Sequence, residues 1–241
     1  MMADHWEELC SGAVPISIDF RDTLGQLAKI ARTAPKTRGI NRQLELCLVG
    51  LVSYFEAFCK ELFAFSINIY PTLIERLRRD GPDISIDPLM AVEMGEKLKD
   101  KIGFIITERL NFGTPKEINA NFRRLLTITP FGDDDAKNFE ELLRDRNLLV
   151  HYGGTYTYRY IDQLRASPTG QRVSDSEAHW NSFVLDNDLY FKLHEFVEAM
   201  SRKMLLATHK ALATYGKEKH GIEKSAPVDS LLWDPPDHDD N

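Results

Sequence analysis

Cysteine is scarce: Cys10, Cys47 and Cys59 are the only three in 241 residues, an odd number with no C-x-x-C pair. A disulfide framework and a cysteine-based zinc site are therefore not expected, and all three read as small, reduced core residues. Long apolar runs are missing too. The most apolar stretch, residues 46–69, is interrupted by Glu56, Lys60 and Glu61, so it falls short of the ~20 apolar residues of a membrane span. Residues 1–12 carry Asp4, Glu7 and Glu8 but neither the basic nor the apolar part of a secretory leader, which sets the expectation of a cytoplasmic protein without a membrane partner. Neither G-x-x-x-x-G-K-[ST] nor G-x-G-x-x-G occurs, which leaves out both common phosphate-cradling loops. H-E-x-x-H is absent as well: His194-Glu195 is followed by Glu198 where a second histidine would stand.

An excess of basic charge is also lacking. The net charge is −7, and residues 217–241 hold three lysines against seven acids. The remaining body exerts no global pull on a nucleic acid, so a polyanionic partner would have to be held by a local basic cluster. Apolar residues make up 43% of the chain, ample for a real core.

Most of that apolar content recurs with helical period. Residues 17–34 form a first amphipathic stripe ended by Pro35. A second helix over residues 40–69, built on Leu44, Leu48, Leu51, Phe55, Phe58 and Leu62, is apolar nearly all round and belongs in the middle of a bundle. Helical signals continue over residues 71–79, over 89–110 (weakened by Gly95 and Gly103), and over 115–126, with Thr114 as N-cap and Pro115 at the first position. The next helix opens at Asp133-Asp134-Asp135, suited to the positive end of a helix dipole, and stops at Gly153-Gly154. Residues 155–161 and 181–185 are rich in β-branched and aromatic residues and predict a small hairpin around a polar loop at 167–176. A closing helix spans residues 188–219, with His194 and Glu198 read as a surface pair, and residues 221–241 form an acidic tail expected to be disordered. The expected fold is an all-α antiparallel helical bundle over residues 1–220 with that hairpin-like insert and tail.

Chemistry concentrates on the helix after Asp133. Projected at about 100° per residue, Phe139, Leu142, Leu143, Leu149 and Val150 define an apolar arc with Arg146 in its middle. A guanidinium keeps its proton, so it needs a carboxylate, a phosphate or a solvent-filled cleft there. Asn147 and His151 share one edge of the arc, and Arg144 lies seven residues before His151 on that edge. Glu56, beside Val49, Val52 and Phe63 on the second helix, is the carboxylate available to Arg146 or His151.

Arg146-Asn147-Leu148-Leu149-Val150-His151 resembles the R-x4–6-H signature of the HEPN superfamily, including the polar residue directly after the arginine. The apolar helix with Tyr54-x-Glu56-x-Phe58, the segment Asn121-Phe122-Arg123-Arg124-Leu125-Leu126 and the closing amphipathic helix are similar to this group, over roughly residues 40–219. The resemblance implies a helical bundle and metal-independent endoribonuclease activity without a cofactor, in toxin–antitoxin or other defence systems. It also implies a homodimer that joins two motifs, and an antitoxin or defence protein as partner. RNA would be cleaved to 2′,3′-cyclic phosphate and 5′-hydroxyl ends, with His151 as base or acid, Arg146 clamping the phosphate and Asn147 orienting either.

Glu56, Arg144 and Tyr152 would support the site, and Arg123 and Arg124, nearest in sequence, would be the first contacts for RNA. One branch of the superfamily places a tyrosine two residues after the histidine; here Tyr152 comes one place early, and it is expected to pack at the helix end under Gly153-Gly154. The alternatives are a non-catalytic dimeric binding module for an antitoxin, a nucleotidyltransferase or a nucleotide ligand, and a bundle in which Glu56, Arg146 and His151 form only a satisfied polar core.

Overall fold

The computed structural model describes residues 14–36, 39–80, 87–166 and 181–233. The expected loop at 167–176 and the last eight acidic-tail residues lie outside them. The described chain is all-α: α1 (Ile16–Arg32), α2 (Arg42–Ile69), a 3₁₀ turn (Pro71–Leu73) leading into α3 (Ile74–Asp80), α4 (Pro88–Met94), a 3₁₀ turn (Gly95–Lys97), α5 (Leu98–Thr107), α6 (Pro115–Leu126), α7 (Asp133–Tyr152), α8 (Tyr158–Ala166), α9 (Asn187–His220) and α10 (Ala226–Asp229). None of the helices searched is long and apolar enough to cross a membrane.

The apolar helix α2 is the centre, packed by α1, α5, α7 and α9. Asn41 caps its start, its side-chain oxygen accepting from the Leu44 N–H at 3.2 Å. Phenylalanines then tie it to its neighbours. Phe58 stacks on Phe20 of α1 with ring centroids 4.4 Å apart, Phe55 meets Phe139 of α7 edge-on at 5.1 Å, and Phe63 meets Phe112 and Phe122 at 5.4 and 5.5 Å. Pairs of this kind add about 0.5–1.5 kcal/mol each to the burial of the rings. Cys47 and Cys59 are buried free thiols in the same core, as expected.

Four expectations are corrected. Residues 89–110 form two helices, because Gly95 adopts φ +50 and breaks the run. Gly103, by contrast, strengthens the packing: a Cβ there would collide with the Ala64 carbonyl of α2, and its N–H donates to Asn68 Oδ1 at 2.7 Å. No strand occurs among the described residues. What remains of the expected hairpin is a single antiparallel bridge, Thr155 to Ser182, since the chain turns helical at Tyr158, with Tyr160 buried and bonded to Asp145 of α7. Residues 221–233 of the tail are ordered against the body, with Val228 and Leu231 buried and Ser17 Oγ donating to the Ser230 carbonyl at 2.8 Å; local acidity concealed two apolar anchors. His194 is buried instead of paired with Glu198, and its ring nitrogen lies 2.9 Å from the Leu24 carbonyl, joining α9 to α1.

Candidate functional site

The last two turns of α7 are held from both sides. At the helix start, Asp135 accepts from the Gly132 N–H at 3.3 Å and pairs with Lys203 of α9 at 2.5 Å, a negative charge at the positive end of the dipole. At the other end Gly153 and Gly154 adopt φ +59 and +84, and their N–H groups bond the Leu149 and Leu148 carbonyls at 3.1 and 3.2 Å. Only residues without a Cβ adopt two such successive conformations cheaply. Beyond them, Phe183 N–H donates to the Gly154 carbonyl at 2.8 Å.

Toward the core, Arg146 Nη2 meets Glu56 Oε1 of α2 at 2.5 Å, with side chains 20% and 24% exposed. Glu56 thus serves Arg146 and not His151. The pairing answers the charge on the apolar arc but leaves Arg146 Nε buried without a hydrogen-bond partner. The arc itself is shifted: Val150 is exposed, and Leu148 is buried in its place. On the other side of α7, α8 meets the edge bearing Asp145, three residues before Leu148.

That second contact is polar at its centre. Tyr160 of α8 donates from its hydroxyl to Asp145 Oδ1 at 2.8 Å, and its ring stacks on Tyr156 at 5.2 Å. The Arg144 guanidinium lies over the Tyr160 ring, 5.5 Å from its centroid, with Nε 3.8 Å from Asp145 Oδ1, too long for a hydrogen bond. Burial pushes the Asp145 carboxyl up to about 6, against the lowering effect of the Tyr160 hydrogen bond and the Arg144 charge. Burial, then the neighbouring Asp145 charge, pushes the Tyr160 hydroxyl far above the usual range for tyrosine. Like Arg146, Arg144 keeps a buried Nε without a hydrogen-bond partner.

Between α7, α8 and the loop before α6 lies an open groove of about 480 Å³, within the ~300–1,000 Å³ of small-ligand sites. Arg144, Arg146, Asn147, His151 and Tyr152 line it from α7, Arg159 and Gln163 from α8, and Gly113 and Thr114 from the loop. Three arginines and one acid, Glu140, line the groove, with the carboxylates of Glu56 and Asp145 behind Arg146 and beside Arg144. Asn147, His151, Arg159 and Gln163 are all exposed, and none has a hydrogen-bond or ion-pair partner among the described residues. The His151 ring lies near Tyr152, centroids 6.4 Å apart. Tyr152 is 57% exposed rather than packed under the glycines.

Five of the expected residues, Arg144, Arg146, Asn147, His151 and Tyr152, therefore share one groove, and Glu56 braces it from behind. Arg123 and Arg124 do not join them. The buried stripe of α6, Ile118, Phe122 and Leu125, turns both arginines outward, away from the groove lining. Arg159 and Tyr160 were overlooked because residues 155–161 read as a strand, which also left no helix to carry Gln163; Asp145, on the motif helix, gained a role only through Tyr160. The i,i+4 spacing of Arg159 and Gln163 was the available signal for a helix face. No group of three or more His, Cys, Asp or Glu side chains able to hold a metal ion occurs among the described residues. No family model, curated protein or solved structure matches this chain.

Proposed function

We propose that this chain is a metal-independent endoribonuclease of the HEPN type, an antiparallel helical bundle acting as a toxin or defence effector. The observation that carries the reading is the convergence of Arg144, Arg146, Asn147 and His151 on one groove, with Asn147 and His151 exposed and without hydrogen-bond partners among the described residues. A phosphodiester in the groove would take charge-assisted hydrogen bonds from the guanidinium N–H groups that face it.

RNA cleavage of this kind removes the proton of the 2′-hydroxyl, lets that oxygen attack the adjacent phosphorus and protonates the departing 5′-oxygen. The products are a 2′,3′-cyclic phosphate and a 5′-hydroxyl. His151, the histidine in the groove, takes or gives the proton. Arg146, braced by Glu56, stabilises the extra negative charge on the non-bridging oxygens, and Asn147 orients the phosphate. A single imidazole serves poorly as both base and acid, so a second copy of the chain supplies the other across a two-fold axis. Large apolar side chains left exposed on α2 and α7, Leu46, Tyr54 and Val150, suit such a contact. An antitoxin or other defence protein as partner rests on the resemblance alone.

The test is cleavage of total RNA by purified protein, with end mapping. Wild type is expected to produce 2′,3′-cyclic phosphate ends with or without EDTA, and His151→Ala is expected to produce none while folding normally. EDTA-sensitive cleavage, or equal cleavage by His151→Ala, rejects the mechanism. One observation favours a second reading: the Glu56–Arg146 pair already gives the arginine a partner, as in a non-catalytic module that binds a nucleotide or a protein. Intact RNA together with a stable bound partner would select that reading.

A further inference from the structure

We infer that the α8 side of the groove is a nucleobase subsite, in which Tyr152 provides the stacking face and Gln163, with Arg159 one turn away, reads the edge of one unpaired base. The inference rests on the reading of the groove as an RNA site and goes beyond it by naming what is recognised next to the phosphate.

The open face of Tyr152 is the first ground. A tyrosine half exposed at the mouth of a groove usually anchors its hydroxyl or covers its ring. Tyr152 does neither among the described residues: its hydroxyl has no hydrogen-bond partner there, its side chain is exposed, and the His151 ring meets it edge-on, tilted at 73° and 6.4 Å away. Flat aromatic faces of this kind are where unpaired bases stack.

The residues opposite supply the second ground. Arg159 and Gln163 are four apart on α8, hence on one face, and both line the groove with no partner among the described residues. A side-chain amide offers a donor and an acceptor side by side, the pattern carried by base edges and not by a phosphate. A site for inorganic anions alone has no use for it.

Dimensions decide between a lone phosphate and a strand. From Arg144 to Tyr152 the helix rises about 12 Å, several times the ~3.4 Å that separates successive nucleotides along a stacked strand. A phosphate on Arg144 and Arg146 leaves room for the nucleoside beside it. A paired base has both faces covered in its duplex, so only an unpaired one can use Tyr152. The buried Tyr160 ties α8 to α7 through its 2.8 Å hydrogen bond to Asp145.

Binding separates this inference from the nuclease reading. The full chain is titrated with fluorescent 2′-O-methyl octamers of U, A or C, which lack the attacking hydroxyl, with the corresponding duplexes, and with inorganic polyphosphate. Wild type is expected to bind single strands over duplex and to rank the three homopolymers. Tyr152→Ala should weaken single-strand binding about tenfold or more, with polyphosphate binding unchanged. Tyr152→Phe, which keeps the ring, should bind as wild type, and Gln163→Ala should level the homopolymers. Far-ultraviolet circular dichroism confirms that each variant is folded.

Unchanged single-strand affinity of Tyr152→Ala overturns the subsite, as does equal binding of polyphosphate and all oligonucleotides by wild type. Tyr152-dependent binding without cleavage of ordinary RNA removes the nuclease and keeps the subsite. Cleavage whose affinity and base preference ignore both variants does the reverse.

Discussion

Where residues 221–233 lie along α1 and α9, polar groups meet partners within the chain. His209 Nε2 is 3.0 Å from Asp229 Oδ1, Ser17 donates to the Ser230 carbonyl, Arg21 Nη1 donates to the Trp233 carbonyl at 3.1 Å, and the Arg202 guanidinium lies 4.5 Å from the centre of the Trp233 ring. At the α7–α8 groove Arg146 and Arg144 are likewise engaged, by Glu56 and by the Tyr160 ring, but Asn147, His151, Arg159 and Gln163 face solvent without a hydrogen-bond or ion-pair partner among the described residues. Exposed groups of this kind add little to the stability of a fold. The closed cluster is accounted for by stability, and the open one calls for a ligand.

Four substitutions would break or sharpen this contrast. The largest expected effect is at His151: alanine should lower the cleavage rate by about 10²–10⁴-fold, the usual worth of a general acid or base, and leave the urea midpoint almost unchanged because the ring is exposed. A large fall in stability would place His151 with the structural group. Leu231→Ala should do the opposite, destabilising the protein by about 2–5 kcal/mol through loss of a fully buried anchor. Oligonucleotide binding below the melting temperature should stay intact, and its loss would tie the C-terminal segment to the groove.

Asp145 lies between the two kinds. Its carboxyl is pushed up to about 6 chiefly by burial, so the native state holds more protons than the unfolded chain between roughly pH 4 and 6. The stability this group contributes therefore rises as pH falls through 6, is complete below about 4, and is absent at pH 7 and above. Asp145→Asn, which mimics the protonated form, should raise stability at pH 8 by up to about 3 kcal/mol and have little effect at pH 4. Urea unfolding at both values checks this; equal effects would show that the charge is not what matters. The smallest change belongs to His209→Gln, expected within about 1 kcal/mol because the pair with Asp229 is partly exposed. It should leave RNA cleavage untouched, as measured by initial rates.

Much of the fold was legible from residue pattern. The helix at 115–126 was read to the residue, since Thr114 and Pro115 mark its start and its Thr114 Oγ1 does accept from the Glu117 N–H at 3.2 Å. The stop of α7 at Gly153-Gly154 follows from two glycines that tolerate left-handed backbone. The failures share a cause. Tyr156, Tyr158 and Tyr160 imitate a strand because β-propensity measures fit to a half-buried surface; in the fold Tyr156 and Tyr160 pack at the α7–α8 contact, and α8 forms around them. Val228 and Leu231 were hidden in an acidic, proline-containing segment whose mean composition resembles disorder. Arg123 and Arg124 were chosen by closeness in sequence, which carries no information about which way a helix face turns.

Periodicity and end signals act within a few residues, so the sequence by itself determined that the chain is helical, where its main helices begin and end, and that Arg146 needs an opposite charge or an opening. Which charge and which opening depended on packing. Glu56 and Arg146 are 90 positions apart, and the packing of α2 on α7, with Phe55 against Phe139, brings them to bonding distance. Arg159 and Gln163 reach the groove on α8, whose Tyr160 bonds Asp145 of α7. Long-range contacts of this kind have no local signature, since their free energy arises when separate apolar faces close on one another and water leaves between them.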